Sequence, residues 1–140
     1  MNRSFKNKEI MSVNTNVVLD MASVFRIEDT PLTEPAVLID PSTVPTGANI
    51  FERTRILYAD ATGEMTVGLW ESSPGAWRID TVEEEYVRLL HGEIRLSDSK
   101  GGSRHFKPGD SFFVPERFRG VWESIGEVRK IFVSLKRKRG

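Results

Sequence analysis

The sequence predicts an all-β protein of antiparallel strands, arranged as a sandwich or barrel. Three observations predict this class. From Glu64 onward, short apolar runs recur at close spacing, and turn residues rich in Gly and Pro separate them. Ile94 and Leu96 alternate with polar neighbours, which is the period of a strand. The chain has 140 residues, 39% of them hydrophobic, which suits one domain with a single core.

The predicted strands are, in order, EMTVGLW, EYVRLLH, EIRLSD, SRHFK, SFFVP, GVWES and VRKIFVSL. Between them lie SSPG, HG, DSKGG, KPGD, PERFRG and SIGE, which we interpret as turns. In the last run, Ile131, Val133 and Leu135 lie on one face, because successive side chains of a strand alternate between its faces.

Residues 80–96, DTVEEEYVRLLHGEIRL, carry helical signals as well. Thr81 followed by Glu84 is a capping-box pattern, and Gly92 stands where a helix C-cap belongs. A helix ending at His91, however, would have to be followed within one or two residues by the strand EIRL. We therefore predict a strand from about Glu84 to His91, which turns at Gly92 into EIRLSD.

The N-terminal part has a different character. Residues 1–30 are polar without sustained periodicity, and Met11 and Met21 are further possible starts. We interpret the segment as a flexible or extended arm, or as translated sequence upstream of the functional start, and we predict a folded domain at residues 31–137. The segment PLTEPAVLIDPSTVPTGANI contains four prolines, so we expect an extended, wrapping lead-in to the domain.

Composition excludes several classes of function. Without cysteine there are no disulfides, thiolate metal sites or cysteine nucleophile. Twenty basic and twenty acidic residues cancel, so we expect neither a nucleic-acid nor a membrane partner, and we interpret the basic run from Lys136 to Arg139 as a solvated tail. No run is long enough to span a bilayer, and the N-terminus has no apolar export segment, so a cytoplasmic location is expected.

The segments EEEYVRLLHGEIRL, FKPGDSFFVPERFRGVWE and VRKIFV together resemble the small single-domain cupins. They are most similar to the subgroup named for ureidoglycine aminohydrolase, to which the ethanolamine-utilisation cupin is also similar. The resemblance covers roughly residues 64–135: a Glu separated from a Gly by six residues, then Pro-Gly-Asp, a Pro and Gly-x-Trp. It implies a jelly-roll-like cupin β-barrel of two facing sheets, commonly a homodimer.

The resemblance also implies a metal site of three His and one Glu, a ligand set that suits Mn, Fe, Ni or Zn. Glu85 falls on the position of the Glu, and the third His position is Gly120. The two upstream His positions fall on Ile79 and Thr81, or on Arg78 and Asp80 with a gap one residue longer. One ligand position of four is kept. We therefore predict no standard metal site and no cofactor, with a divalent metal only if a non-standard site exists.

Glu85 is the first candidate site residue. In a strand it faces the barrel interior with Val87 and Leu89, and an apolar surround would suit its carboxyl to acid/base work. The alternative is a structural carboxylate paired with an interior Arg, Lys or Tyr. Lys130 shares a pleat face with Phe132 and is either such an inward partner, for Glu85 or for a substrate carboxylate, or a surface lysine.

Aromatic residues complete the predicted ligand pocket, in which Trp77, Phe113 and Trp122 join Glu85 and Lys130. Trp77 and Trp122 are equally explained as core.

Other polar residues are assigned to the surface. His91 and His105 have no second His at i+2 or i+4, so we interpret them as surface or turn residues. Glu83 and Glu84 are interpreted as solvated rim charges. Tyr86 points away from Glu85, to the other face, where it is a candidate dimer contact.

We predict a small-molecule-binding cupin without the standard metal site, acting as a sensor, a carrier or a metabolic accessory. The alternative is an enzyme of the ureidoglycine aminohydrolase type acting on a small amine or ureide. In that case Glu85 is a catalytic base or a metal ligand, with Asp80, Glu83 or His91 as non-standard partners. A purely structural dimer is the third hypothesis. The sequence names no ligand and leaves catalysis open.

Overall fold

A computed structural model of the chain describes residues 18–138, and its regular structure is almost entirely β. Short 3-10 helices occupy Met21–Ser23, Ile27–Asp29 and Pro41–Thr43. The strands are β1 (Val37–Leu38), β2 (Phe51–Ala59), β3 (Met65–Ser72), β4 (Gly75–Asp80), β5 (Glu84–Ser97), β6 (Ser103–Phe106), β7 (Ser111–Val114) and β8 (Arg119–Leu135).

Two long antiparallel strands, β5 and β8, organise the fold because each belongs to two sheets. In β5, residues 85–88 pair with β7 and residues 94–97 pair with β6. In β8, residues 119–124 pair with β4 and residues 128–135 pair with β3. The large sheet is therefore β1-β2-β3-β8-β5-β7, and the small sheet is β4-β8-β5-β6. This arrangement confirms the predicted antiparallel cupin barrel.

The predicted strand character of residues 84–91 is confirmed, but the turns predicted at HG and SIGE are wrong. Both β5 and β8 run through these positions as single strands. Gly92 and Gly126 have φ values of 79° and 75°, and the register between the strands shifts on both sides of His91. Extra residues and left-handed glycines make a bulge, which bends a strand without ending its pairing. The bend lets each strand pass from one sheet to the other.

Two strands, β2 and β4, were not predicted. The outward side chains of β2 include Arg53 and Arg55, which interrupt the apolar pattern that marks a strand. Strand β4 has six residues directly after the SSPG turn, which is too short a run for a clear period. The proline-rich lead-in is largely irregular, as predicted, and contains β1.

The lead-in lies against the outer face of the large sheet. The carbonyl of Thr30 accepts a hydrogen bond from Arg129 Nη2 at 2.6 Å, and the carbonyl of Pro31 accepts one from Arg55 Nη1 at 3.2 Å. Leu69, on the outer face of β3, is fully buried. Residues 1–17 of the predicted arm lie outside the described residues, and the domain boundary at residues 30 and 31 stays a prediction. None of the helices in residues 18–138 is long and apolar enough to cross a membrane.

The core lies between the two sheets and is built around three indoles. Trp70 comes from the large sheet, and Trp77 and Trp122 come from the small sheet. Their ring centroids are 5.5 to 6.2 Å apart, which is the spacing of interacting aromatic pairs. Leu89 and Ile94 of β5 are fully buried beside them. This packing places the inner face of β5, and thus Glu85, inside the barrel.

Candidate functional site

Glu85 faces the interior and is paired with Lys130. Val87 and Leu89, on the same face of β5, are fully buried. The Oε2 atom of Glu85 accepts a hydrogen bond from the Nζ atom of Lys130 at 2.9 Å. The Lys130 side chain is 7% exposed and the Glu85 side chain is 25% exposed, so the ion pair is inside the barrel with its carboxylate toward solvent.

The ammonium of Lys130 lies between two indole rings. Its Nζ atom is 4.5 Å from the ring centroid of Trp70 and 4.5 Å from that of Trp122, and 6.0 Å from that of Phe132. A cation over an aromatic face is attracted by the ring quadrupole, and more strongly where water is excluded. One carboxylate and two indole faces therefore replace the water that the ammonium loses on burial.

The surface alternative for Lys130 is wrong. At the C-terminal end of β8, four side chains face the inside of the barrel, and all four are buried: Val128, Lys130, Phe132 and Ser134. They alternate along the strand with its most apolar side chains. Ile131 and Val133 face the outside of the large sheet. Because both faces of this strand are covered, hydrophobicity alone could not assign the inner one.

Hydrogen bonds hold the indoles in place around the cation. The Nε1 atom of Trp122 donates to Ser124 Oγ at 3.1 Å, and Ser72 Oγ donates to the same oxygen at 2.6 Å. The Nε1 atom of Trp70 donates to Glu52 Oε1 at 2.7 Å. With both ring nitrogens satisfied, each indole can turn a face to Lys130. We call Glu85, Lys130, Trp70 and Trp122 the lysine cage.

The two upstream positions of the cupin metal site carry no metal ligand. Ile79 lies on β4, and Thr81 follows that strand. The hydroxyl of Thr81 donates to the carbonyl of Pro115 at 2.7 Å and accepts from the amide of Phe118 at 2.9 Å. Thr81 is therefore occupied in holding the loop between β7 and β8.

The position of the third His is closed by the fold. A Cβ atom added to Gly120 would overlap the carbonyl oxygen of Ser97 and crowd the ring of Phe118. Together with the pairing of Glu85 to Lys130, this means that the residues present do not fit the metal of the standard cupin site. Within residues 18–138, no group of three or more His, Asp or Glu side chains is arranged to hold a metal ion.

None of the proposed non-standard partners, Asp80, Glu83 and His91, is hydrogen-bonded to the carboxylate of Glu85 in the described part of the chain. Asp80 pairs with Arg119 at 3.2 Å, on the exposed end of β4. His91 is exposed and lines a cavity of about 240 Å³, together with Glu71 and Glu127. Among the described residues, Glu85 forms an ion pair with Lys130 only.

The remaining polar residues lie at the surface, in agreement with the prediction for His91 and His105. His105 is on the outer face of β6, where its Nε2 atom is 2.8 Å from Glu93 Oε1. Glu84 pairs with Arg137 at 3.0 Å, and Glu83 is half-buried just before β5.

A second feature of the barrel is a cavity of about 390 Å³ where the edge strands β6 and β7 approach each other. We call it the phenylalanine cavity. Phe106 and Phe112 stack in it with ring centroids 3.9 Å apart, and Phe118 closes one side. Its volume is within the range of about 300–1,000 Å³ that is typical of small-molecule sites. Val114, another lining residue, pairs across the strands with Glu85.

The five residues of the predicted pocket are thus divided between two places. Glu85, Lys130 and Trp122 belong to the lysine cage, and Trp77 packs on Trp122 in the core at 6.2 Å. Phe113 belongs to the lining of the phenylalanine cavity, but it pairs with Tyr86, so its side chain is on the outer face and is 59% exposed.

Sequence reasoning missed Phe106, Phe118 and Arg104 as cavity residues. Phe106 and Arg104 are two residues apart on β6, so they share its inner face. This spacing was visible in the predicted strand SRHFK and could have indicated that the two side chains lie together. Nothing in the sequence indicates that Phe118 turns inward, because it lies in a loop whose path depends on Thr81.

The loop between β5 and β6 is fixed at the rim of the phenylalanine cavity. Oδ1 of Asp98 accepts hydrogen bonds from the amides of Lys100 at 2.8 Å and Gly102 at 2.9 Å. The amide of Gly102, followed by that of Lys100, lowers the pKa of the Asp98 carboxyl below its ordinary value, because both bonds favour the charged form.

The chain belongs to a family of cupins. The profile of the EutQ-like cupin domain family matches residues 59–132, which include the lysine cage and the phenylalanine cavity. This finding agrees with the ethanolamine-utilisation part of the resemblance, whereas the ureidoglycine aminohydrolase part stays a prediction. No protein with a curated description matches the sequence.

Solved structures share the fold. A protein of unknown function of the DUF861 family from Pseudomonas syringae pv. tomato str. DC3000 is 28% identical with a TM-score of 0.68; the match covers 75% of this chain and 44% of that one. This chain thus spans less than half the length of that relative. A putative ethanolamine utilization protein Q from Salmonella typhimurium LT2 is 15% identical with a TM-score of 0.56, over 78% of this chain and 100% of that one. The EutQ protein of Clostridium difficile is also 15% identical, with a TM-score of 0.56, over 62% of this chain and 64% of that one.

Proposed function

We propose that this protein is a small-molecule-binding cupin that works without the standard metal site, as a sensor, a carrier or a metabolic accessory. The observation that carries the proposal is the lysine cage. The one carboxylate retained from the cupin ligand set is bound at 2.9 Å to a lysine of the same chain. A metal at this carboxylate would have to displace a buried ammonium from two indole faces.

The phenylalanine cavity supplies the binding volume for this function. It is concave, mostly apolar and of ligand size, and it opens at the edge of the barrel where β6 and β7 meet. Nothing in the comparisons favours the ureidoglycine aminohydrolase alternative, and we make no proposal for catalysis by Glu85.

We also propose that the protein acts as a homodimer joined through the outer face of the large sheet. A row of apolar side chains crosses five strands there, in register: Phe113, Tyr86, Val133, Val67 and Tyr58. Phe113, Tyr86 and Tyr58 are 59%, 40% and 46% exposed. A second copy of the same row is the occupant we propose, because a two-fold dimer brings one patch onto itself.

The metal content of the full chain, purified without a histidine tag or added metal, tests the central proposal. We expect no stoichiometric divalent metal in the wild type, in Glu85→Ala or in the control Glu84→Ala, whose carboxylate pairs with Arg137 instead. Metal near one equivalent in the wild type and in Glu84→Ala, but lost in Glu85→Ala, would replace the proposal by a metal-dependent one.

A thermal-shift screen of small amines, ureides and carboxylates tests binding itself. A ligand that binds only the native state raises the apparent stability in proportion to its saturation. We expect at least one class of compound to raise the melting temperature of the wild type and not that of Leu96→Trp, in which an indole on the inner face of β5, in register with Arg104, fills the cavity. Equal shifts for both proteins would place binding elsewhere.

A further inference from the structure

The phenylalanine cavity contains a cation with no partner in the described part of the chain. Arg104 lies on the inner face of β6, in register with Leu96 and two residues from Phe106. Within residues 18–138, its guanidinium makes no ion pair or hydrogen bond. The two neighbouring arginines of the small sheet both form ion pairs: Arg95 pairs with Glu123 at 3.6 Å, and Arg119 pairs with Asp80 at 3.2 Å.

The acidic residue of the lining, Asp98, is bound by its own loop. Its Oδ1 atom accepts hydrogen bonds from the amides of Lys100 and Gly102, at 2.8 and 2.9 Å. No ion pair joins Asp98 and Arg104. The cavity therefore presents apolar rings on its walls, and at its rim a guanidinium that is unpaired among the described residues and a carboxylate held by amides.

We propose that the phenylalanine cavity binds a small aromatic monocarboxylate, with its carboxylate on Arg104 and its ring among Phe106, Phe112 and Phe118. The inference rests on the proposed function, because it takes this cavity as the ligand site. The ring of the ligand gains offset or edge contacts with the phenylalanines, and its carboxylate gains a charge-assisted, bidentate pair with the guanidinium.

The charge of the lining selects a monocarboxylate over other head groups. Arg104 and Asp98 are the charged residues of the lining, and their formal charges cancel; the carboxylate of Asp98 is held by the amides of Lys100 and Gly102, so the guanidinium of Arg104 is the charged group of the lining that is left without a partner among the described residues. A phosphate monoester carries about −1.5 to −2 charges at neutral pH and would leave charge uncompensated. An ammonium group would meet a guanidinium with the same sign. A planar carboxylate matches the planar fork of arginine in charge and shape.

Isothermal titration of the full chain with four aromatic probes that differ in their head group tests the proposal: benzoate, its isostere benzamide, benzylamine and phenyl phosphate. The variants are Arg104→Gln and Lys107→Gln. Lys107 is an exposed cation just beyond β6 that does not line the cavity, so its variant removes the same charge from a neighbouring place. Leu96→Trp serves as the filled-cavity control.

We expect benzoate to bind the wild type more tightly than the other three probes. Arg104→Gln should weaken benzoate binding by about tenfold or more, because it removes the charge-assisted pair with the carboxylate. Lys107→Gln should change the affinity by less than about twofold, because Lys107 does not line the cavity. Arg104→Lys, which keeps the charge but not the fork, should fall between them. Because Arg104 is exposed, these variants are expected to fold, and the melting temperature of each checks it.

Two results would overturn the inference and differ in what they say of the proposed function. If benzamide or benzylamine binds as tightly as benzoate and Leu96→Trp abolishes that binding, the monocarboxylate class is wrong, but the cavity is still a ligand site. If benzoate does not bind at all, the class is wrong as well. The proposed function then fails only if the wider thermal-shift screen also finds no ligand that Leu96→Trp excludes.

Discussion

At the scale of single residues, Lys130 and Glu85 depend on one another more than on any other group. A buried ammonium costs several kcal/mol unless hydrogen bonds and opposite charge compensate it. Here the compensation comes from one carboxylate oxygen at 2.9 Å and two indole faces at 4.5 Å. The Glu85 side chain is 25% exposed and the Lys130 side chain is 7% exposed, so water has more access to the acidic partner of the pair than to the basic one.

Lys130→Met should destabilise the fold. Methionine fills a similar volume but leaves the partly buried carboxylate of Glu85 without its cation. Removal of one partner of a buried pair costs about 3–5 kcal/mol, and the partial exposure of Glu85 reduces our expectation to about 2–3 kcal/mol. Urea unfolding of the wild type and of Lys130→Met at neutral pH measures the difference in their free energy of unfolding.

The double variant Lys130→Met with Glu85→Gln separates the pair from packing. Because the carboxylate no longer needs a cation, the double variant should lose less stability than the two single variants added together, by at least about 1 kcal/mol of coupling energy. Strict additivity of the two losses would mean that the 2.9 Å contact contributes nothing to stability.

The carboxyl of Asp98 gives a pH-dependent prediction. Its pKa is lower in the folded chain than in an unfolded peptide, where it is about 3.9. The stabilisation that it gives is therefore complete above the unfolded value and is lost as the pH falls through the lower, folded value. Amide NMR shifts of Lys100 and Gly102 should titrate with a midpoint below about 3.9. A midpoint at or above the peptide value would contradict the hydrogen-bonded loop.

The removal of this carboxyl supplies the control. Asp98→Asn should abolish the titration of both amides. The stability gap between Asp98→Asn and the wild type should be present at neutral pH and should close as acid protonates the wild-type carboxyl.

The sequence predicted the orientation of Glu85 but not which residue it meets. Its place in a strand with Val87 and Leu89 was sufficient to turn it inward. The choice for Lys130 depended on which face of β8 is inside, and that is set by pairing with β3 and β5. Sequence patterns carry no information on the residues of a distant strand, so the lysine cage needed the structure.

At the scale of elements, the bends in β5 and β8 join the two sheets. Gly92 and Gly126 were read as turns because a left-handed glycine is equally typical of a turn and of a bulge. The hydrogen bonds that distinguish the two lie between β5 and β8, about 35 residues apart in the chain. The strands from β5 to β8 were therefore detectable from their local period, but the continuity of β5 and β8 was not.

Gly92→Ala should destabilise the barrel more than Gly109→Ala. Both glycines have positive φ, 79° and 95°, so both variants bear the left-handed cost of about 1–2 kcal/mol. A Cβ atom at Gly109 meets open space, whereas at Gly92 it overlaps the carbonyl oxygen of Glu127. Overpacking adds about 1–3 kcal/mol at Gly92 alone.

Chemical denaturation of Gly92→Ala and Gly109→Ala measures the difference in their free energy of unfolding. Because both variants bear the cost of a positive φ, that difference reports the overlap at Gly92. Equal losses would mean that β8 moves away from β5 at the bend without cost, and that the bulge is not a tight contact.

At the scale of the whole molecule, the outer face of the large sheet has apolar side chains where a monomer would expose polar ones. The row from Phe113 to Tyr58 crosses five strands, and adjacent strands are about 4.8 Å apart, so it is long enough for a strip of protein contact. Aromatic residues near the centre of such a patch are the usual sites of strong binding energy.

Sedimentation equilibrium should give twice the chain mass of 15.9 kDa. Tyr86→Arg should weaken the dimer by about 2 kcal/mol or more, because it places a charge within the row, between Phe113 and Val133. His105→Arg, on the outer face of the small sheet, is the matched control and should leave the dimer unchanged. A wild-type monomer, or equal effects of the two variants, would contradict the proposed interface.

The lysine cage also changes what the protein depends on in the cell. In a metalloprotein the ion that balances an interior carboxylate is borrowed from a shared pool, and it can be withdrawn by a chelator or exchanged for a competitor. The ion that balances Glu85 is a side chain of the same polypeptide, synthesised in equal number with its carboxylate. The charge balance of the Glu85–Lys130 pair is therefore complete as soon as the chain has folded, without an ion from solution.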